Sequence, residues 1–216
     1  MIVNVKIHFF KMDINTMTEL SPAAERICKA ALEHFSVYGY DGSSLNTIAT
    51  SVGIKKPSLY AHFHNKDDLF FSCLDVAILA EIQFMAEMFR DKKAIETPGE
   101  NYASSLAKRY ETAITMRFLL RTVYLPPEKI KIGIARKYMQ FIERLENYFR
   151  VEMNEKTKPG AASDIIERFI SVYIGIIDSI LIEVVHQDFD TAMKRFNVLW
   201  ITYEDALEYR GVLSKK

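Results

Sequence analysis

SLNTIATSVGIKKPSLYAHFHNK, residues Ser44 to Lys66, is the stretch whose reading decides how this chain folds. It reads as two short helices around a tight turn, the second opening on the basic pair Lys55-Lys56. Lys66, His62 and His64 add to the cationic character, and the stretch holds no Asp or Glu. Over all 216 residues, 28 Lys and Arg balance 28 Asp and Glu. A cationic helical surface on a neutral protein points to a polyanion as partner.

Within it, Ser44 caps a helix running through Val52, whose inner face is Leu45, Ile48, Ala49 and Val52. Gly53 and Ile54 make the turn, and the next helix runs from about Lys56 to Phe63. Ala49 is small where the two helices cross, and Ile48, Leu59 and Phe63 point inward. Lys55, Lys56, Ser58, Tyr60, Ala61 and His62 are left outside. Such a unit lays its second helix in the major groove while the first crosses the backbone. Cationic, hydroxyl and small groups suit phosphates and base edges.

Outward from there, helical period dominates. Ser21-Pro22 opens a first helix with Ile27, Ala30, Ala31, Phe35 and Tyr38 on its apolar face, and Gly39 ends it. His34 reads as surface, and His64 as a solvated helix end. Asn65 caps a fourth helix through Leu69, Cys73 and Val76 to about Arg90, long enough to leave one domain and enter another. After a loop at 92–96, Thr97-Pro98 opens the fifth, and a short sixth passes Phe118 to Tyr124. Pro126-Pro127 restarts a long helix to about Glu155. Lys158-Pro159-Gly160 precedes an apolar helix over 161–187, and Asp190 caps the last, to about Arg210. No strand is expected after residue 20. The chain is therefore expected to be all-α, about nine helices, with an N-terminal three-helix unit joined by the long fourth helix to a larger helical domain.

Lys66 lies in the first turn of its helix, where the macrodipole disfavours a cation. Two readings stand: it binds a phosphate together with the free amides of the helix end, or it neutralises Asp67 and Asp68.

Before residue 21, Val3, Val5, Ile7 and Phe9 alternate as in a strand, with nothing to pair with. Residues 1–20 are read as a poorly ordered extension, with the natural start at Met12 or Met17. Lys6 and Lys11 interrupt any signal-peptide core. The run Phe169 to Val185 approaches a membrane span in length, but Asp178 and Glu183 sit inside it, so a buried helix is expected instead. Cys28 and Cys73 have neither metal-ligand nor disulfide-framework spacing, which fits a reducing cytoplasm.

Enzyme chemistry lacks a constellation: there is no Gly-rich phosphate loop, no metal-spaced cluster and no nucleophile elbow. No metal or cofactor is expected. The larger domain is rich in aromatics and Met instead. Phe84, Met88, Tyr102, Leu106, Tyr110, Arg117, Met139, Ile142 and Glu146 are candidate linings of a mostly apolar ligand site, against the plainer reading of ordinary core. On the seventh helix, Ala135, Met139, Ile142 and Phe149 are placed on one face with Glu146. Asp178 breaks an intensely apolar helix. It belongs to a narrow polar stripe with Ser171, Gly175 and Ser179 that either faces a partner helix or holds a cation or polar ligand group. Ile174, Ile177, Leu181 and Val184, with Phe196, Leu199, Trp200 and Tyr203, exceed what one packing face hides. They are expected either at a two-fold interface or within the monomer.

Phe35, Gly39, Tyr40, Ser44, Ile48, Ala49, Gly53, Ile54, Ser58-Leu59-Tyr60, His62-Phe63, Lys66 and Leu69 together resemble the TetR family of bacterial transcriptional regulators. The resemblance covers roughly residues 21–81 and leaves 82–216 unmatched residue by residue. It implies a DNA-binding domain over 21–81 and a ligand-binding and dimerisation domain over 82–216. It further implies a cytoplasmic homodimer on a palindromic operator, released by a small-molecule effector, with no membrane involved. By position, Lys56, Pro57, Ser58 and His62 would approach bases, and Ser44, Asn46, Thr47, Tyr60 and Lys66 would hold phosphates. Pro57 stands where many members have Gly, and still suits a first helical turn. Ala61 can offer only a methyl. Two other readings remain: an activator or nucleoid-associated protein, and a helical ligand-binding or interaction protein without operator-specific DNA binding.

Overall fold

The computed structural model describes residues 20–90, 97–158 and 163–213. The expected extension before residue 20, with its start-site candidates, and the expected loop at 92–96 lie outside these. Among the described residues the chain forms nine α-helices and one 3-10 turn. The helices are α1 Pro22–Tyr38, α2 Leu45–Ser51, α3 Lys56–Tyr60, α4 Lys66–Arg90, α5 Glu100–Thr112, α6 Ile114–Tyr124, α7 Lys131–Lys156, α8 Ser163–His186 and α9 Phe189–Tyr209. The β pairing described is an isolated bridge between Thr157 and Leu213.

Local chemistry explains most of the boundaries. Ser21 accepts a hydrogen bond from the amide of Ala24 with Pro22 at the first helical position, so α1 starts where both residues favour it. Asn65 accepts from the amide of Asp68 at 2.9 Å and opens α4. Several expected boundaries move. α3 stops at Tyr60 rather than Phe63, because the amides of His62 and Phe63 both turn back to the Leu59 carbonyl and close the helix. Gly99, not Thr97-Pro98, caps α5. Its φ of +81° and the Tyr173 ring, 2.4 Å from where a Cβ would stand, leave room for glycine alone. Asp188, not Asp190, caps α9, accepting from the Thr191 amide at 2.8 Å, and that bond lowers the carboxyl pKa. Pro127 leads into the 3-10 turn Glu128–Ile130 before α7 begins.

α1 packs on α2, α4 and α6, and α4 packs on α1, α5, α6 and α7. Phe35 of α1, Phe70 of α4 and Phe118 of α6 meet at centroid distances of 4.9 Å (Phe35–Phe70), 5.2 Å (Phe70–Phe118) and 6.2 Å (Phe35–Phe118), so one aromatic knot ties α1 and α4 to α6. Tyr38, expected on the inner face of α1, is exposed and lies against the His34 ring instead.

α8 and α9 form a helical hairpin across a two-residue link. α4 and α8 are each long and apolar enough to cross a membrane by length and composition. Both are packed among neighbouring helices: α8 lies against α5, α6, α7 and α9. Glu183 of α8 is buried and pairs with Arg195 of α9.

Candidate nucleic-acid interface

Leu45, Ile48, Ala49, Leu59 and Phe63 are buried, which fixes how α2 sits on α1 and α3 on α2. Between them Gly53 has a φ of +72°, and the amides of Gly53 and Ile54 return to the carbonyls of Thr50 and Ala49 at 3.0 Å. That left-handed residue is what turns the chain sharply enough to set α3 across α2. With the inner residues committed, Lys55, Lys56, Pro57, Ser58, Tyr60, Ala61 and His62 all face solvent. Lys56 reaches over the Tyr60 ring, 5.7 Å from its centroid.

Ser44, Asn46 and Thr47 are exposed at the start of α2. Ser44 Oγ accepts from the Thr47 amide at 3.1 Å and lies 2.7 Å from the Thr47 hydroxyl. The two hydroxyls thus occupy the positive end of α2 beside α3.

Lys66 does something neither reading foresaw. Its ammonium folds back to donate to the Ser43 carbonyl at 3.0 Å and lies 4.0 Å from the Tyr40 ring centroid. It clamps the loop that presents Ser44. Tyr40 in turn donates to Asp67, and burial together with that bond pushes its pKa up to about 12. Asp67 is held below the usual carboxylate range by hydrogen bonds from Lys129 and Tyr40.

His34, expected at the surface, is partly buried and shares a 2.9 Å hydrogen bond with Ser43 Oγ. Ser43 donates its own proton to the Gly39 carbonyl, so His34 Nδ1 is the donor in that pair. His64 is exposed, as expected, and sits 3.1 Å from Asp68.

The candidate ligand residues scatter. Phe84 and Tyr102 pair at 6.2 Å, with Arg109 over the Phe84 ring at 4.5 Å. Tyr102 and Leu106 are fully buried in the helical core, while Met88 and Tyr110 pack at its edge. Arg117 donates to the carbonyls of Tyr110 and Glu111, closing the end of α5 rather than facing a ligand. Met139 is 57% exposed. The inner face of α7 is Ile134, Tyr138, Phe141, Leu145, Phe149 and Met153, one residue out of register with the expected stripe. That stripe carries more apolar volume and no charge, so packing selects it over Ala135, Met139, Ile142 and Glu146. Ile142 and Glu146 end up half-buried at its margin.

The interface candidates need a similar correction. Ile177, Leu181, Val184, Phe196, Trp200 and Tyr203 are buried within the monomer, and Ile174 and Leu199 are partly so. α8 and α9 pack so closely that the largest apolar groups serve the hairpin itself. The apolar surface left outside is Val172 and Ile182 on α8, with Val198 and Ile201 on α9. Of the polar stripe on α8, Ser171, Gly175 and Asp178 face outward.

Sequence reading also missed a buried ion pair. Glu81 of α4 is 2% exposed and takes both Arg109 Nε at 3.0 Å and Nη2 at 3.1 Å, with the Thr115 hydroxyl at 2.5 Å. The signal was present: Glu81 continues the buried row of Leu74, Ala77, Ile78 and Met85, where an acid requires a partner.

A glycine-turned helix pair, seated on a third helix and carrying an outward cationic face, defines a helix-turn-helix protein. Residues 27–73 match the family model described as bacterial regulatory proteins, tetR family. Among curated proteins, the biofilm-operon negative transcriptional regulator IcaR of Staphylococcus epidermidis is 35% identical over 72 residues, 33% of this chain and 39% of that one. The transcriptional repressor ComR of Escherichia coli is 31% identical over 86 residues, 39% of this chain and 41% of its own. The chain thus spans about two fifths of the length of these relatives. Among solved structures, a TetR-family regulator from Cytophaga hutchinsonii superposes with a TM-score of 0.65 at 17% identity, covering 90% of this chain and 96% of that one. FadR from Bacillus subtilis, solved in complex with stearoyl-CoA, superposes at 0.59 with 19% identity, covering 81% and 96%. At such identities the likeness shows the fold, which extends through the larger domain.

Proposed function

We propose that this chain is a DNA-binding transcriptional regulator, a repressor that holds a palindromic operator as a homodimer and leaves it when a small, largely apolar effector binds. One observation carries the reading: the face of α3 is cationic and exposed while Leu59 and Phe63 anchor its other side. Residues 21–81 are taken as the DNA-binding domain and 82–216 as the effector and dimerisation domain.

On the DNA, Lys56, Pro57, Ser58 and His62 approach base edges, with Ala61 offering a methyl. Ser44, Asn46, Thr47, Lys55 and Tyr60 hold phosphates. Lys66 acts mainly by fixing the loop before Ser44, and adds its charge to the same strand. The names of IcaR and ComR support repression, since both are negative regulators. Such a protein works in the cytoplasm, where Cys28 and Cys73 stay as thiols, and its role is regulatory rather than enzymatic.

Dimerisation uses the outer face of α8 and α9, around Val172, Ile182, Val198 and Ile201. A two-fold pair of such domains presents two α3 helices to half-sites about one turn of DNA apart. α4 is the mechanical link: 25 residues long, or about 37 Å, it starts at the Lys66 clamp and ends in the larger domain. The stearoyl-CoA bound in FadR supports an effector with a long apolar chain. Titration of the purified protein into labelled genomic fragments tests the reading. Sequence-selective binding that weakens steeply with salt is expected, and binding indifferent to salt would refute it.

A further inference from the structure

α4 and the stretch that leads into α7 meet at three contacts of one spacing. Lys129, in the 3-10 turn, donates to Asp67 at 2.8 Å, and Lys137 of α7 donates to Asp75 at 2.5 Å. Between them Phe71 lies over Gly133, its ring 2.7 Å from where a Cβ would stand. The partners are 62 residues apart in every pair. Each step of four residues along α4 is matched by four along the turn and α7, so the two run parallel in a single register.

That register is discrete. Glycine inside a helix is disfavoured, and the close approach of Phe71 accounts for it at Gly133. A slip of one turn, about 5.4 Å, would set Phe71 against Lys129 or Lys137 and an aspartate over Gly133. Both ion pairs would part together. Neither is deeply buried, and such pairs shift an equilibrium by about fivefold each at most. The register is therefore definite but reversible.

Its Asp67 end reaches the helix-turn-helix. Asp67 also accepts from Tyr40, whose ring meets Phe70 edge-on at a centroid distance of 5.3 Å. Over the Tyr40 ring lies the Lys66 ammonium that holds the Ser43 carbonyl. Lys129 is thus the outermost member of a chain of contacts that runs from the larger domain to the loop before Ser44.

We propose that Lys129, Gly133 and Lys137 are positioning residues for DNA binding: they hold α4 in one register and, through Asp67 and Tyr40, keep the Ser43–Thr47 loop where its hydroxyls meet DNA. That the loop meets DNA rests on the regulator reading above; the hold of Lys129 on the loop does not.

Two arms on the full chain test this. Without DNA, hydrogen exchange is followed at the amides of Ser43 and Thr47, which bond to the Tyr40 carbonyl and to Ser44 Oγ. Lys129→Met is expected to speed both by about threefold. Lys131→Met, which frees only the neighbouring Glu128, is expected to leave them unchanged. Wild-type exchange in Lys129→Met, or equal acceleration in Lys131→Met, would overturn the proposal.

In the second arm, affinity is measured for the duplex most enriched from a randomised library. Asp75→Lys and Lys137→Asp each bring like charges together at the far rung and are both expected to weaken binding by about fivefold or more, while the double variant regains it. A direct effect of charge on DNA would instead strengthen binding in Asp75→Lys and weaken it in Lys137→Asp. Opposite signs, or a double variant as weak as the single ones, would overturn the proposal. If the wild type enriched no duplex, the regulator reading would fail and the DNA half of the proposal with it; the exchange arm would still decide whether Lys129 holds the loop.

Discussion

Lys66 reaches from the first turn of α4 to the carbonyl of Ser43 at 3.0 Å, one residue before the Ser44 cap of α2. A cation at a helix N-terminus is disfavoured by the macrodipole, so this lysine is held by what it touches. Two partners hold it, the carbonyl and the Tyr40 ring. It joins the start of the long helix to the loop that presents the Ser44 and Thr47 hydroxyls.

Lys66→Ala should therefore act twice. Loss of the cation–π contact and the charged hydrogen bond should cost about 1–2 kcal/mol in chemical denaturation. Affinity should fall for all DNA sequences alike. A salt slope reduced by about one would add a direct phosphate contact, and an unchanged slope would confine Lys66 to the clamp.

Lys56→Ala should behave differently. Its side chain is exposed at the first turn of α3 with the Tyr60 ring beside it. Stability should stay within about 0.5 kcal/mol of the wild type, while discrimination at one base position of each half-site falls by about 1–3 kcal/mol. Binding measured against single-substituted operators checks this.

The α4–α5–α6 junction depends on a buried charge pair. Glu81→Gln leaves Arg109 without its carboxylate, and a loss of about 3 kcal/mol is expected in urea denaturation. Glu81→Leu combined with Arg109→Met should recover much of it, since no charge is then stranded. If Glu81→Gln proved neutral, the pair would not hold the junction.

Acid sensitivity should trace in part to Asp67. Its pKa is depressed in the folded protein, first by the hydrogen bond from Lys129 and then by that from Tyr40. A depressed carboxylate stabilises the fold above its unfolded pKa, and that stabilisation is lost as pH falls through the folded value. The Tm of Asp67→Asn should lie below the wild type at neutral pH and converge with it below the ordinary aspartate range. A constant gap across that window would assign the effect to shape rather than charge.

Much of this was legible in sequence, and the failures share a cause. Caps and turns depend on neighbours a few residues away, so Ser21, Ser44, Gly53 and Asn65 could be placed from the chain alone. Leu59 and Phe63 could be taken inward because the helix-turn-helix has one way to bury them. Choices between two stripes on one helix depend on partners distant in sequence. α7 offers a 3–4 pattern through Met139 and another through Tyr138, and only the packing of α4 and α8 on it decides. The same holds for Trp200 and Tyr203, which are buried under α8 rather than presented for assembly. The clamp made by Lys66 was not foreseen because its partners, Tyr40 and Ser43, lie more than twenty residues back.

Selection from a randomised duplex library with the full-length protein, followed by sequencing of the bound fraction, tests most directly whether this is an operator-binding dimer. The expected result is a two-fold symmetric sequence whose half-sites lie about one helical turn apart. It should no longer be enriched when Ile201→Glu breaks the outer α9 face. Enrichment of no sequence, or of a single asymmetric site indifferent to Ile201→Glu, would contradict it.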